Sequence, residues 1–107
     1  MLKKKLAVRD SQINVVDMGQ GPPVLLIHGF PLNQTMWNSQ ILEFSKSHRV
    51  ICPDLAGFGL SQCSQPRLHL RDHARDLSEM LDVLNVLESV IFCGLSMGGY
   101  IGWEFWK

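Results

Sequence analysis

Gly94-Leu95-Ser96-Met97-Gly98 places a serine between two glycines in the pattern G-x-S-x-G. The apolar run Ser89–Cys93 stands before it and helix-like residues follow it. Strand, glycine-flanked serine and helix in that order are the sequence form of a nucleophile elbow. A strand that turns straight into a helix forces its corner residue into a strained backbone conformation, which holds the side chain out. Gly94 and Gly98 give the neighbouring chain positions with no side chain to collide, and Gly99 adds room for the helix to pack. The chemistry this suits is acyl transfer. Ser96 would attack a carbonyl carbon, and the N–H groups at the helix start near Met97 would face the negative charge that develops.

A second stretch, His28-Gly29-Phe30-Pro31, follows another apolar run, Val24–Ile27. Gly29 is a flexible residue just ahead of a backbone N–H that can turn toward the serine. The backbone N–H groups of Phe30 and Met97 are therefore the expected oxyanion hole, and Met97 is expected to border the substrate. His69 and His73 stand four apart and could share a helix face as metal ligands. No third ligand accompanies them, so they are expected to face solvent and no metal site is expected. Trp37, Trp103, Phe105 and Trp106 are expected to serve packing.

The elements that must position these residues follow from periodicity. Strand-like runs lie at Leu2–Arg9 and Ile13–Asp17, with Asp10-Ser11 as the turn between them. Val24–Gly29, Arg49–Asp54 and Ser89–Gly94 are apolar on both faces, as strands buried between helices are. Thr35–Ser47 carries Met36, Trp37, Ile41, Leu42 and Phe44 on one broad apolar face. Leu70–Val86 spaces Leu70, Ala74, Leu77, Leu81 and Leu84 by threes and fours, with Arg71, Asp72, Arg75, Asp76 and Glu79 on a solvated face. Alternating strands and helices predict an α/β fold, a mostly parallel sheet with helices on both faces and an antiparallel hairpin at the start. The three loops after the long strands, beginning at His28, Asp54 and Gly94, then share the rim where such sheets carry function.

Bulk properties agree with this. The 107 residues suffice for one domain, and 46% hydrophobic with 19% charged residues is a globular composition. Ten basic and ten acidic residues cancel, so no field draws the chain to nucleic acid or an anionic membrane. Lys3-Lys4-Lys5 reads as a solvated strand edge. The three cysteines, Cys52, Cys63 and Cys93, show no C-x-x-C spacing. With no secretory signal and no apolar run near the roughly 18 residues a spanning helix needs, a cytoplasmic protein is expected. Neither G-x-G-x-x-G after a strand nor G-x-x-x-x-G-K-[ST] is present, and no cofactor is expected.

The motifs "HGFPLNQTMW", "DLAGFGLS" and "GLSMGGYIGW", in that order, resemble the amino-terminal part of the α/β-hydrolase superfamily. The likeness is to small esterases, enol-lactonases, carbon–carbon bond hydrolases and cofactor-free perhydrolases. It implies Ser96 as nucleophile, Phe30 as an oxyanion N–H donor, and His28 as structural support of its loop. Asp54, Gly57, Gly59 and Ser61 match the loop whose role in the family is architectural. The haloalkane dehalogenases of the superfamily carry aspartate where Ser96 stands, which disfavours that branch.

The resemblance also implies a triad order of serine, acid, histidine. After Ser96 the chain holds one acid, Glu104, and no histidine. Residues 1–107 thus read as a partial domain cut within the helix after the elbow. The expected function is that of a serine hydrolase of small esters, lactones or activated ketones, represented by its nucleophile and oxyanion portion. The alternative is a non-catalytic module that dimerises, or pairs with a complementary fragment, through an open strand edge. A small-molecule ester or lactone is the expected partner, with a second copy or a carboxy-terminal half at that edge.

Overall fold

The structure, a computed structural model, describes residues 3–67 and 69–106. The sheet begins with an antiparallel hairpin of β1 (Lys3–Val8) and β2 (Ser11–Met18), in the register Lys3↔Val16 to Val8↔Ser11. The turn is Arg9-Asp10, one residue earlier than expected, with Arg9 at φ +52°. The expected strand start at Leu2 lies outside the described residues. Lys3, Lys4 and Lys5 are exposed on the edge strand β1, where charge discourages pairing with another chain.

Three parallel strands follow: β3 (Pro23–Ile27), β4 (Arg49–Pro53) and β6 (Ile91–Gly94), while the short β5 (Gln62–Cys63) pairs with β2. Across the sheet the order is β1-β2-β4-β3-β6. β3 lies between β4 and β6 and is parallel to both, and all five of its residues are buried. Its uninterrupted apolar sequence follows from having a helix layer on each face. β6 is shorter than the expected run Ser89–Gly94 and is the open edge that the sequence implies. It starts at Ile91, forms an edge of the described sheet, and leaves Ile91 52% exposed.

One face of the sheet carries α1 (Asn38–Phe44), entered through a 3-10 turn at Gln34–Trp37. The Asn33 side chain opens that turn by accepting the Thr35 N–H at 3.0 Å. Ile41 and Trp37 pack there against Val16, Val24, Leu26, Val50 and Cys52. The broad apolar face read from the sequence is narrower than expected, since Leu42 and Phe44 are exposed. The other face carries α2 (Leu70–Val83) and α3 (Met97–Trp106), whose Leu77, Met80, Leu81 and Ile101 cover Val15, Leu25, Ile27 and Ile51.

α2 ends earlier than Val86. Asn85 adopts φ +59°, and Val86 N–H donates to Leu81 O at 2.9 Å, closing the helix with a left-handed residue. Two residues assigned to solvent are in fact inside: His73 is 5% exposed and Asp76 is 2% exposed. Both sit on the buried stripe, Asp76 three residues after His73, and Met80 four after Asp76. Asp76 is tolerated there because Arg67 meets it at 2.7 Å, with Nε on Oδ2. Arg67 also reaches Asp10 at 2.6 Å, which ties the loop before α2 to the first hairpin.

Candidate active site

The strand order has a consequence for function. From β3 the chain moves to one side to form β4, then crosses by way of α2 to the other side of β3 to form β6. The loops leaving β3 and β6 diverge from adjacent strands at their carboxyl ends, the usual place for a ligand site in such sheets. Ile27 and Gly94 are register partners, so His28–Phe30 and Leu95–Met97 emerge side by side.

Ser96 stands at the corner between β6 and α3 with φ +53°, one of three non-glycine residues at positive φ among the described residues. Such a conformation is costly for a residue with a Cβ, and it persists only where the surroundings enforce it. The enforcement is visible on both sides. Leu95 N–H donates to Ile27 O at 3.1 Å, while Gly98, Gly99 and Tyr100 N–H groups turn back to Leu95 and Ser96 carbonyls. A Cβ on Gly94 would stand 2.4 Å from Gly98 C, and one on Gly98 would stand 2.4 Å from Ile27 O. Two side chains are therefore excluded where β6, α3 and β3 meet. Gly99 has a different standing from the one expected: a Cβ there would meet only Gly94 O at an ordinary 3.7 Å. It is Gly98, not Gly99, that lets the helix close on the sheet.

The first loop lies against this corner. A Cβ on Gly29 would fall 3.5 Å from Ser96 Cβ and 2.9 Å from Leu95 O. Leu32 N–H donates to Gly29 O at 2.8 Å, which bends the chain around Phe30. Among the described residues, no hydrogen bond occupies the backbone N–H of Phe30 or of Met97.

His28 is fully buried. Its Nε2 accepts the Leu55 N–H at 3.0 Å, so the ring proton is on Nδ1, which donates to Gly29 O at 2.9 Å. Burial holds its pKa below the ordinary histidine value, against the pull of the Gly29 carbonyl. With both nitrogens engaged, the neutral ring braces the β3 loop against the β4 loop and has no valence left for Ser96. Asp54 is likewise occupied. Its carboxylate accepts from Gln34 N at 2.8 Å, Asn14 Nδ2 at 3.0 Å and Leu60 N at 3.0 Å. Ser61 Oγ donates to Asp54 O at 2.6 Å and accepts from Asn14 N.

Sequence reasoning missed Gln34, which is 2% exposed and donates to Asn14 O at 3.1 Å and Cys52 O at 3.2 Å. It also missed Phe58, whose ring meets Phe30 edge-on at 5.8 Å and His28 at 5.4 Å. His73, expected at the surface, lines a cleft of about 650 Å³ together with Phe30, Phe58, Leu70 and Met97. Its place on the α2 stripe, three after Leu70 and four before Leu77, was the available signal. Ser96 itself opens on a shallower hollow walled by Gly99, Tyr100 and Trp103. Trp103 and Trp106 do not pack into the core as expected. They are 66% and 79% exposed and stack on each other at 5.8 Å. Phe105 does pack inward, on Phe92 at 5.6 Å. Among the described residues no helix is long and apolar enough to cross a membrane.

Comparison with known proteins places this geometry. Residues 22–105 match the family model for the α/β hydrolase fold. The chain is 31% identical over 102 residues to 3-oxoadipate enol-lactonase 2 of Acinetobacter baylyi, covering 94% of this chain and 38% of that protein. It is 37% identical over 100 residues to epoxide hydrolase 3 of Siraitia grosvenorii, covering 88% of this chain and 30% of that protein. A solved thermophilic esterase from Thermogutta terrifontis superposes with a TM-score of 0.88 at 38% identity, covering 98% of this chain and 40% of that one. The chain thus spans 40% or less of the length of each of these three proteins. By family model, sequence and fold alike, the chain belongs to the α/β hydrolases.

Proposed function

We propose that this chain carries the acylation centre of a serine hydrolase acting on a small ester, lactone or activated ketone. The observation that carries the reading is Ser96 at φ +53° on the corner beside the Phe30 loop. In this reading Ser96 Oγ attacks the substrate carbonyl and loses its proton to a base. The Phe30 and Met97 N–H groups hold the oxyanion. Collapse of the tetrahedral species expels the leaving group, and water then cleaves the acyl–serine ester.

The residue type selects among the relatives' reactions. A serine hydroxyl on an acyl carbon forms an ester, which water can cleave. On an epoxide or haloalkane carbon it would form an ether, which water does not cleave under mild conditions. Serine at this corner therefore favours esters and lactones over epoxides and alkyl halides.

The base is the open element. All four histidines of the chain, His28, His48, His69 and His73, precede Ser96, and His28 is fully engaged elsewhere. The reading assigns base and acid to residues other than these 107. Unassisted acylation should be slow but still favoured by the oxyanion site, which alone retains about 10³-fold catalysis when a triad is removed. Incubation with p-nitrophenyl acetate should add one acetyl group, mapped to Ser96 by mass spectrometry, without sustained turnover. Acetylation spread over lysines and unchanged in Ser96→Ala would refute the assignment.

A second reading has its own observation, the half-exposed Ile91 on edge strand β6 together with the exposed Trp103 and Trp106 of α3. It makes this edge a pairing surface for a second copy or a complementary segment. Sedimentation velocity should show a dimer that Ile91→Lys dissociates; a monomer at high concentration would dismiss the second-copy form.

A further inference from the structure

We propose that the cleft walled by Phe30, Phe58, Leu70, His73 and Met97 is the subsite for the substrate's side group, and that it takes an uncharged aryl group bearing one hydroxyl, recognised by His73. The inference rests on Ser96 being the nucleophile.

Its position comes first. Phe30 and Met97, whose N–H groups face the developing oxyanion in that reading, supply one wall of the cleft. A group attached to the carbonyl carbon held there has this cleft on one side. At about 650 Å³ the cleft has the size of a small-molecule site. Two of its ring pairs are already set at an angle: Phe30 and Phe58 edge-on at 87°, Phe58 and His73 tilted at 51°. Aromatic walls in that geometry accept a further ring by offset or edge contacts.

The polar chemistry narrows the class. His73 is 5% exposed, and its Nδ1 is buried with no hydrogen-bond partner in the protein. Buried polar groups are rarely left so, and a ligand is one of the things that satisfies them. Burial keeps the ring neutral, so it offers one donor and one acceptor rather than a charge. A carboxylate finds no free cation here. Arg67, also on the cleft, is held by Asp10 and Asp76 and donates its remaining contact to Gln65 O at 3.1 Å. The α2 N-terminus is met by its own Asp72, whose carboxylate accepts His69 N–H at 3.2 Å. An acidic side group would find the Arg67 guanidinium already paired with two carboxylates, whereas a phenolic hydroxyl would meet the imidazole.

The test uses the full chain, with phenol, benzoate and toluene as probes and ¹⁵N-imidazole NMR as readout. Phenol should move the His73 ring signals and benzoate should not. His73→Phe should weaken phenol by about tenfold, the worth of one neutral hydrogen bond, while sparing toluene. Leu70→Trp, on the half-buried wall, should block both and guards against a His73 variant that fails to fold. Saturating phenol should also slow acetylation of Ser96 by p-nitrophenyl acetate severalfold. Benzoate binding as tightly as phenol, or phenol leaving the His73 signals unmoved, overturns the proposal. Phenol bound at His73 with the Ser96 rate unchanged overturns the subsite assignment but not the nucleophile. Absence of any Ser96 acetylation overturns the nucleophile reading, and the subsite with it, whatever phenol does.

Discussion

Asp54 and His28 show how single buried polar residues fix the rim on which Ser96 sits. Three donors from three segments converge on the Asp54 carboxylate. Asp54→Ala would leave two backbone N–H groups and an amide without acceptors, at a cost of about 3 kcal/mol or more. Urea unfolding should show that loss; a change under about 0.5 kcal/mol, the usual range for a surface site, would mean the carboxylate is not a structural hub. The histidines add a pH dependence. Burial holds His28 and His73 below their ordinary value of 6.5. The unfolded chain therefore takes up protons near pH 6.5 that the folded chain accepts only at lower pH. Stability must fall as pH drops through that window, by at most about 1.4 kcal/mol per pH unit for each ring. His73→Phe should flatten the stability curve between about pH 7 and pH 5. Parallel curves for the two proteins would show that His73 ionises as freely when folded as when unfolded.

At the scale of elements, the junction of β6, α3 and β3 decides whether the serine is presented at all. Gly98→Ala drives a Cβ against the Ile27 and His28 carbonyls, at 2.4 and 2.9 Å. Backbone cannot yield as a flexible side chain does, so α3 must lift from the sheet, at a cost of about 2 kcal/mol or more. Gly99→Ala meets only ordinary contact and exchanges a glycine for a good helix former, a gain of up to about 1 kcal/mol. Thermal unfolding of both variants separates these outcomes, and equal effects would contradict the packing described. The sequence shows the G-x-S-x-G corner plainly, because a turn this tight leaves few residue choices. It does not distinguish Gly98 from Gly99, since that depends on which helix face meets β3. The same reason explains α2. Charge assigned Asp76 to water, and only the Arg67 partner, arriving from the preceding loop, makes its burial affordable. Trp103 and Trp106 were misjudged from the opposite direction: large apolar residues on a helix with little facing them.

For the molecule as a whole, the parallel strands, the hairpin and the helices on two faces were legible because each rests on local periodicity. The strand order was not, since the crossing from β4 over β3 to β6 is a long-range choice that no local pattern encodes. That crossing sets the loops after Ile27 and Gly94 side by side, and the functional account depends on it. The most direct measurement is a crystal structure of the chain after reaction with diethyl p-nitrophenyl phosphate. The account predicts phosphorus bonded to Ser96 Oγ and the phosphoryl oxygen about 3 Å from both the Phe30 and Met97 nitrogens. A phosphoryl oxygen pointing into solvent, or phosphorus on another residue, would contradict it.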